Sequence, residues 1–329
     1  MNKPLLVVLT PVYNEAWILP AFLRATSLWA DYILIADQMS DDGSREIYKD
    51  FPKVRVIDNP IKSMHQARTR RLLMDASKEI EGDKILFTLD ADEFLSGDFM
   101  NTSSWKYMLF ESKPSDVFEF RWMNLHKNPN VYSTWQSYYW AVRYEEDVFN
   151  GNFPDNFIHE SRLPWPPKAD EHYINIFEDI RFIHFARVNV TRQINKERYY
   201  QIVQKMSDPK RSNISFYRQY HPTITESTYV VPSDAYVFYE KNNLNLFDYI
   251  NLNDNGKHYT KKVMDAFNQN GLKMYSGLDV WDSAFLKEVN IKDPRSWIDK
   301  LMRLYLRSTS RFADNIIIKF IDKILKLIY

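Results

Sequence analysis

Four short apolar runs, spaced through the first hundred residues, constrain this chain more than any other feature. LLVVL (5–9), YILIA (32–36), VRVID (54–58) and KILFTL (84–89) are brief and continuous rather than long and periodic. That is the texture of strands buried on both faces. Between them lie stretches of helical spacing. One runs from about 15 to 30, one starts near Asp42 with Ser40 or Asp41 as its cap, and one runs from about 63 to 81. Strand–helix–strand alternation predicts an α/β fold with a mostly parallel central sheet flanked by helices. Ligands of such sheets meet the carboxyl ends of the strands. Three polar clusters fall at those ends: TPVYNE after the first run, ADQMSDDGS after the second and LDADE after the fourth.

The last cluster sets the chemical problem. Asp90, Asp92 and Glu93 crowd three carboxylates into four positions directly after an apolar run. A solvated turn explains them, and so does a hard divalent cation such as Mn²⁺ or Mg²⁺. Such ions take oxygen ligands and complete their shell with water and substrate phosphates. Other chemistries are closed off by composition. The 329 residues contain no cysteine, so a disulfide framework, a thiolate zinc site and a thiol nucleophile are excluded. Lys plus Arg equals Asp plus Glu at 43 each, and no nucleic-acid-binding signature accompanies that balance. The opening MNKPLLVVLTPVYNE reads as a buried first strand rather than a leader, because the apolar run is short and carries Pro4 and Pro11.

Beyond residue 100 the texture changes. VFEFRW and IRFIHFARV read as strands, NFPDNFIHESRLPWPPK as irregular loop, and TRQINKERYYQIVQKM as a helix. Aromatics make up 16% of the chain and are dense between Trp105 and Trp165, which assigns most of them to core packing and leaves a few for recognition. Length and texture together suggest a domain over 1–220, with halves 1–100 and 101–220, followed by a mixed, helical region 221–329. The chain ends in an amphipathic helix over 311–329, and residues 295–329 carry a formal charge of +5. Such a helix docks on the protein body or a second subunit, or lies on an anionic membrane surface.

The four motifs TPVYNEAWILPAFL, ADQMSDDGSREI, HQARTRRLLMDAS and ILFTLDADEF, in this order and spacing over about residues 5–95, resemble glycosyltransferase family 2. The resemblance implies the GT-A fold, a Rossmann-like sheet. It also implies transfer of a sugar from a nucleoside diphosphate donor, usually UDP, with inversion and a divalent metal. It places Pro11, Tyr13, Asn14 and Glu15 beside the nucleotide, Asp37 at the base or ribose, and Arg68 near the base or phosphates. Gln38 stands where the family often has a second acid, and Thr69 where it has Asn. Asp42 and Gly43 open the next helix. Of the acidic turn, Asp90 would face the ribose with Ala91 beside it, and Asp92 would bind the metal. Glu93 matches a bacterial D-x-D-E variant, with its task open.

A departing diphosphate needs charge neutralisation, and the acceptor hydroxyl needs a base on the opposite face of the sugar. The base must come from the second half of the domain, where Asp155, Glu160, Asp170, Glu171, Glu178 and Asp179 are the candidates. NFIHES resembles the H-E pair of the lipopolysaccharide-core branch, which favours Glu160 with His159 beside it; Asp179 is the runner-up. His184, inside an apolar strand, is either a core histidine or a third metal ligand of the kind many GT-A enzymes recruit. Arg187, Lys196 and Arg198 are further candidates for donor phosphates. The expected partners are therefore a nucleotide sugar and a glycan or lipid-linked acceptor in surface polysaccharide synthesis, with no nucleic acid. The expected location is cytoplasmic, peripheral to the inner face of the membrane. A sugar nucleotidyltransferase, or a non-catalytic assembly protein on the same fold, are the competing readings. The first of these calls for a Gly-rich phosphate loop after the first strand, where this chain reads TPVYNE.

Overall fold

The computed structural model describes residues 3–60, 66–134, 138–144, 162–163, 174–221 and 227–329. The four apolar runs become β1 (Leu5–Val12), β2 (Tyr32–Asp37), β3 (Val54–Asp58) and β4 (Lys84–Thr88). They are parallel, in the order β4-β1-β2-β3. Side chains alternate across the pleat into two cores. Leu6, Val8, Ile33, Ile35, Ile85 and Phe87 face α1 (Leu19–Ser27), whereas Val7, Leu9, Leu34 and Leu86 meet Leu73 and Met74 of α3 (Gln66–Ser77). β1, β2 and β4 are buried as their continuous runs require. β3 differs: it is the edge strand, and Val56 is exposed.

Helix boundaries move for identifiable reasons. α1 starts at Leu19 rather than near Glu15, with Pro20 in its first turn. The amides before it are taken by side chains of the neighbouring turn instead of by helical bonds. α2 (Ser44–Ile47) follows Gly43, whose φ of 98° is one that only glycine adopts cheaply, so Gly43 holds the cap position expected of Ser40 or Asp41.

The other half of the sheet is mixed, mostly antiparallel with a parallel pairing. After β5 (Glu93–Leu95) and α4 (Ser103–Phe110) come β6 (Val117–Leu125), β7 (Val131–Thr134), β8 (Tyr138–Arg143) and β9 (Ile174–His184). β8 joins β4 antiparallel and β6 joins β8. β9 runs parallel to β6 and pairs antiparallel with β5, so that Glu93 lies opposite His184. β10 (Thr228–Val230) closes the far edge on β7. Aromatics fill this half: Trp29, Phe87, Phe99 and Trp105 meet edge to face or tilted, with ring centroids 4.9 to 6.3 Å apart. α7 (Val237–Lys241) covers it, with the Tyr239 hydroxyl donating to Leu95 O at 2.7 Å.

By contact the chain divides into two compact units, Met1–Val190 with Ser227–Asp254, and Thr191–Glu226 with Asn255–Tyr329. This differs from a single boundary near 220. Residues 227–254 return to the sheet as β10 and α7, whereas 191–220 pack with the C-terminal helices. The second unit contains α5 (Val190–Ser207), α6 (Asn213–Tyr220), α8 (Lys257–Asn270), α9 (Ser283–Glu288), α10 (Trp297–Thr309) and α11 (Ile316–Ile328). Ile214 and Tyr217 of α6 meet Met302 and Leu306 of α10, with Leu325 and Tyr329 packed against them. Arg218 of α6 is held by Asp322 of α11 at 2.8 Å, and the Tyr305 hydroxyl donates to the same carboxylate. Among the described residues no helix is long and apolar enough to cross a membrane.

Candidate active site

The carboxyl ends of β1, β2 and β4 lie on one edge of the sheet, and two hydrogen-bonded networks are built there. The first locks the turns after β1 and β2 together. Asn14 adopts the left-handed conformation, φ 55°, that asparagine tolerates better than most residues. It exchanges two bonds with Asp41: its side-chain amide donates to Oδ1 at 2.8 Å, and the Asp41 amide donates to its Oδ1 at 2.9 Å. The backbone amides of Asn14, Glu15 and Ala16 donate to Ser40 Oγ, Ser44 Oγ and Asp42 Oδ2. Glu15 accepts from the Trp17 indole at 2.6 Å.

Asp37 is tied into this scaffold. Its carboxylate is fully buried, with Oδ1 accepting from the Ser40 amide and Arg45, and Oδ2 from the Tyr48 hydroxyl at 2.6 Å. Burial and this carboxylate together push the Tyr48 hydroxyl far above its ordinary pKa, so it remains a donor. These bonds from Ser40, Arg45 and Tyr48 fix the position of the Asp37 carboxylate.

The second network surrounds the acidic turn, whose three carboxylates have different surroundings. Glu93 is buried and accepts a two-pronged pair from Arg162, with Nη2 to Oε1 at 2.6 Å and Nη1 to Oε2 at 2.7 Å. Its Oε2 also accepts from the Asp90 amide at 2.9 Å and the Trp140 indole at 3.2 Å. Burial pushes this carboxyl up, and Asp90 and Asp92 add to the push, while Arg162 and His184 oppose it. The fork geometry is that of an ion pair. Glu93, whose task the sequence left open, thus fixes the shape of the turn.

Asp90 is the most open of the three. Its Oδ2 faces Arg162 at 3.0 Å and its Oδ1 faces Arg70 at 3.4 Å. Arg70 is buried on α3, and burial lowers its pKa from the ordinary guanidinium value against the pull of Asp90. Arg68, the residue singled out by resemblance, lies exposed on the same helix, and Arg70 is the one brought to the turn.

Asp92 is nearly buried, and its Oδ2 lies 3.5 Å from His184 Nε2. The other ring nitrogen, Nδ1, is 2.6 Å from Asn124 Oδ1, and the ring stacks on Trp122 at 4.5 Å and 13°. With Asn124 oriented this way Nδ1 donates to its carbonyl oxygen, which leaves Nε2 to face the Asp92 carboxylate, as a lone pair in the Nδ1–H tautomer. Two acceptors facing each other call for a cation or a proton between them. A histidine whose second nitrogen is anchored by a carbonyl oxygen is also the usual arrangement around a bound metal. Among the described residues no group of three or more His, Asp or Glu forms a cage. Asp92 and His184 could supply two ligands to an Mn²⁺ or Mg²⁺, whose remaining ligands would have to come from elsewhere, as from phosphate and water.

The remaining candidates are dispersed. Pro11 is the penultimate residue of β1, paired with Ala36, Tyr13 follows the strand, and Ala91 is buried between the two aspartates. Asp179 is not brought to the acidic turn. It lies five residues before His184, where β9 bulges against β6, and accepts from Ser103 Oγ and the Ser104 amide at the start of α4. Glu178 pairs with Arg121 on the surface. Arg198 is spent within the second unit on Val280 O and Asp282. His159, Glu160, Asp155, Asp170 and Glu171 lie outside the described residues. Arg162, Arg70, Asn124 and Trp140 were missed. Only Arg70 left a signal: it is in helical phase with Ala67, Leu73, Met74 and Ser77, all buried.

Comparison with known proteins returns a family match over part of the chain. No curated protein matches the chain. Solved structures align loosely. The inositol-1-phosphate CTP transferase from T. maritima is 8% identical over 56% of this chain and 89% of that one, with a TM-score of 0.34. The nucleoside-diphosphate-sugar pyrophosphorylase from Vibrio cholerae is 10% identical over 54% and 94%, with a TM-score of 0.32. A 4-diphosphocytidyl-2C-methyl-D-erythritol synthase is 18% identical over 28% of this chain and 48% of that one, so about half its length is spanned, at 0.25. Alignments this loose say nothing about what the present chain binds. Residues 7–102, which contain the turns after β1, β2 and β4, match the model of glycosyl transferase family 2.

Proposed function

We propose that this chain is a metal-dependent, inverting glycosyltransferase. It would move a sugar from a nucleoside diphosphate donor, UDP-linked by family preference, to a hydroxyl of a glycan or lipid-linked acceptor in surface polysaccharide synthesis. The observation that carries the reading is Asp92, inside the segment 7–102 that matches the family, facing His184, which Asn124 anchors from outside that segment. Asp92 and His184 hold Mn²⁺ or Mg²⁺, which when bound neutralises charge on the leaving diphosphate. Asn124 keeps the Nε2 lone pair of His184 directed at that position. Arg162 and Glu93 hold the turn rigid, so that little reorganisation accompanies reaction. Asp90, the most accessible carboxylate, is directed to the donor ribose. Glu160 remains the proposed base for the acceptor hydroxyl, since Asp179 is engaged at α4.

The nucleotidyltransferase reading is disfavoured by the turn after β1. A phosphate-cradling loop presents backbone amides to its ligand, whereas here the amides of Asn14, Glu15 and Ala16 are bonded to side chains of the chain itself. Calorimetric titration with UDP, GDP and dTDP, each with and without Mn²⁺, tests the proposal. One nucleotide should bind at least tenfold more tightly with metal, and Asp92→Asn should remove that difference. Absence of binding by all three, with or without metal, would refute the transferase.

A further inference from the structure

We infer that the C-terminal helix α11, with α10 beside it in sequence, is a docking face for an anionic lipid bilayer. The inference is independent of the reaction proposed above. Both helices have two apolar sides. On α11, Asp322 is buried and Ile318, Ile321, Leu325 and Tyr329 are partly so, and Leu325 and Tyr329 pack against the α6 core. At about 100° per residue the opposite side presents Ile316, Ile317, Phe320, Ile324 and Leu327. Ile316 and Leu327 are 82% and 83% exposed and Phe320 63%. Burying one face on the protein thus leaves a second unpartnered. α10 repeats the arrangement: Met302 and Leu306 are buried, while Trp297, Leu301 and Leu304 are exposed, Trp297 at 74%.

Charge identifies the occupant. Lys319, Lys323 and Lys326 share the flank of α11 between its buried and outward sides, and Lys300, Arg303 and Arg307 hold the corresponding flank of α10. Of the three acids in 295–329, Asp299 and Asp322 are buried in internal bonds. Asp314 is the exposed one, paired with Lys319. Lys300 and Arg303 pair with Asp293 and Asp279 outside the segment. The accessible surface is therefore apolar with a basic margin supplied mainly by the exposed Arg307, Lys323 and Lys326, as in helices that lie in the headgroup layer with lysines reaching back to phosphates. Contact between two copies through this segment would instead bring two +5 charges together.

Flotation of the full chain with phosphatidylcholine vesicles, with and without phosphatidylglycerol, tests the inference. Binding is expected to the anionic vesicles only, and to weaken in 1 M NaCl, where the Debye length falls to about 3 Å. Phe320→Glu with Ile324→Glu should lower partition at least tenfold, as should Lys323→Glu with Lys326→Glu. Neither pair should shift the melting temperature, because these side chains lie outside the core. If either pair does shift it, Lys323→Gln with Lys326→Gln takes its place and should still weaken binding severalfold. Equal binding to neutral vesicles, or to none, overturns the inference. So does light scattering that shows a dimer dispersed by the Phe320 and Ile324 pair, which would make a second copy the occupant.

Discussion

Glu93 shows how far a residue type underdetermines its role. In sequence it is the third carboxylate of an acidic turn; in the fold it is the buried end of an ion pair with Arg162, stacked near the faces of Trp122 and Trp140. A buried pair adds little over apolar residues of the same volume, but removing one partner strands a charge, at a cost of about 3–5 kcal/mol. Arg162→Met should therefore lower unfolding free energy by about that amount in urea titration, and adding Glu93→Gln should restore part of it. A loss below about 1 kcal/mol for the single change would show that the pair does not hold the turn. Asp92 and His184 were legible in sequence because a strand-end carboxylate and an intrastrand histidine stand out locally. Arg162 was not, since its partners are about 70 positions away. The surroundings of Asp37 were not legible for a related reason. Local sequence reveals that an acid follows β2, but not that Tyr48 and Arg45 fold back onto it.

Elements were legible where burial is symmetric. β1, β2 and β4 are covered on both faces, so their apolar runs are unbroken, whereas β5, β7 and β10 are three or four residues long and leave no pattern. α10 can be tested as an element. Its start is fixed by a capping box between Ser296 and Asp299, and just before it Asp293 receives the Arg295 amide and side chain. Those bonds hold the Asp293 carboxyl down to about 2, from an ordinary 3.8. A depressed carboxylate stabilises the fold above its unfolded pKa, and that stability is lost as pH falls through its folded pKa. The full shift corresponds to about 2.5 kcal/mol, and solvent access reduces this to about 1 kcal/mol. Asp293→Asn should cost that much at neutral pH, with the difference closing between about pH 4 and pH 2. A constant difference across that window in thermal melts would assign the loss to packing instead.

Over the whole molecule the charges cancel, with 43 of each sign, but they do not cancel locally. Residues 295–329 carry +5, so residues 1–294 carry −5, and the sequence pI is about 7.1. At neutral pH there is no net repulsion between copies, and the basic segment of one is attracted to the acidic remainder of another. Two forces then compete to associate the protein, and salt separates them. Raising NaCl from about 0.01 to 0.1 M shortens the Debye length from about 30 to 10 Å and weakens attraction between opposite charges. Association through the exposed apolar faces of α10 and α11 is not weakened by that change. Light scattering at pH 7 should therefore fall as salt rises over this range, and at low salt it should fall as pH moves away from 7 in either direction. Lys323→Glu with Lys326→Glu, which cuts the segment from +5 to +1, should remove most of the salt effect. Scattering that stays flat or rises with salt in the unmodified protein would assign self-association to the apolar faces and leave the charge asymmetry without a role in it.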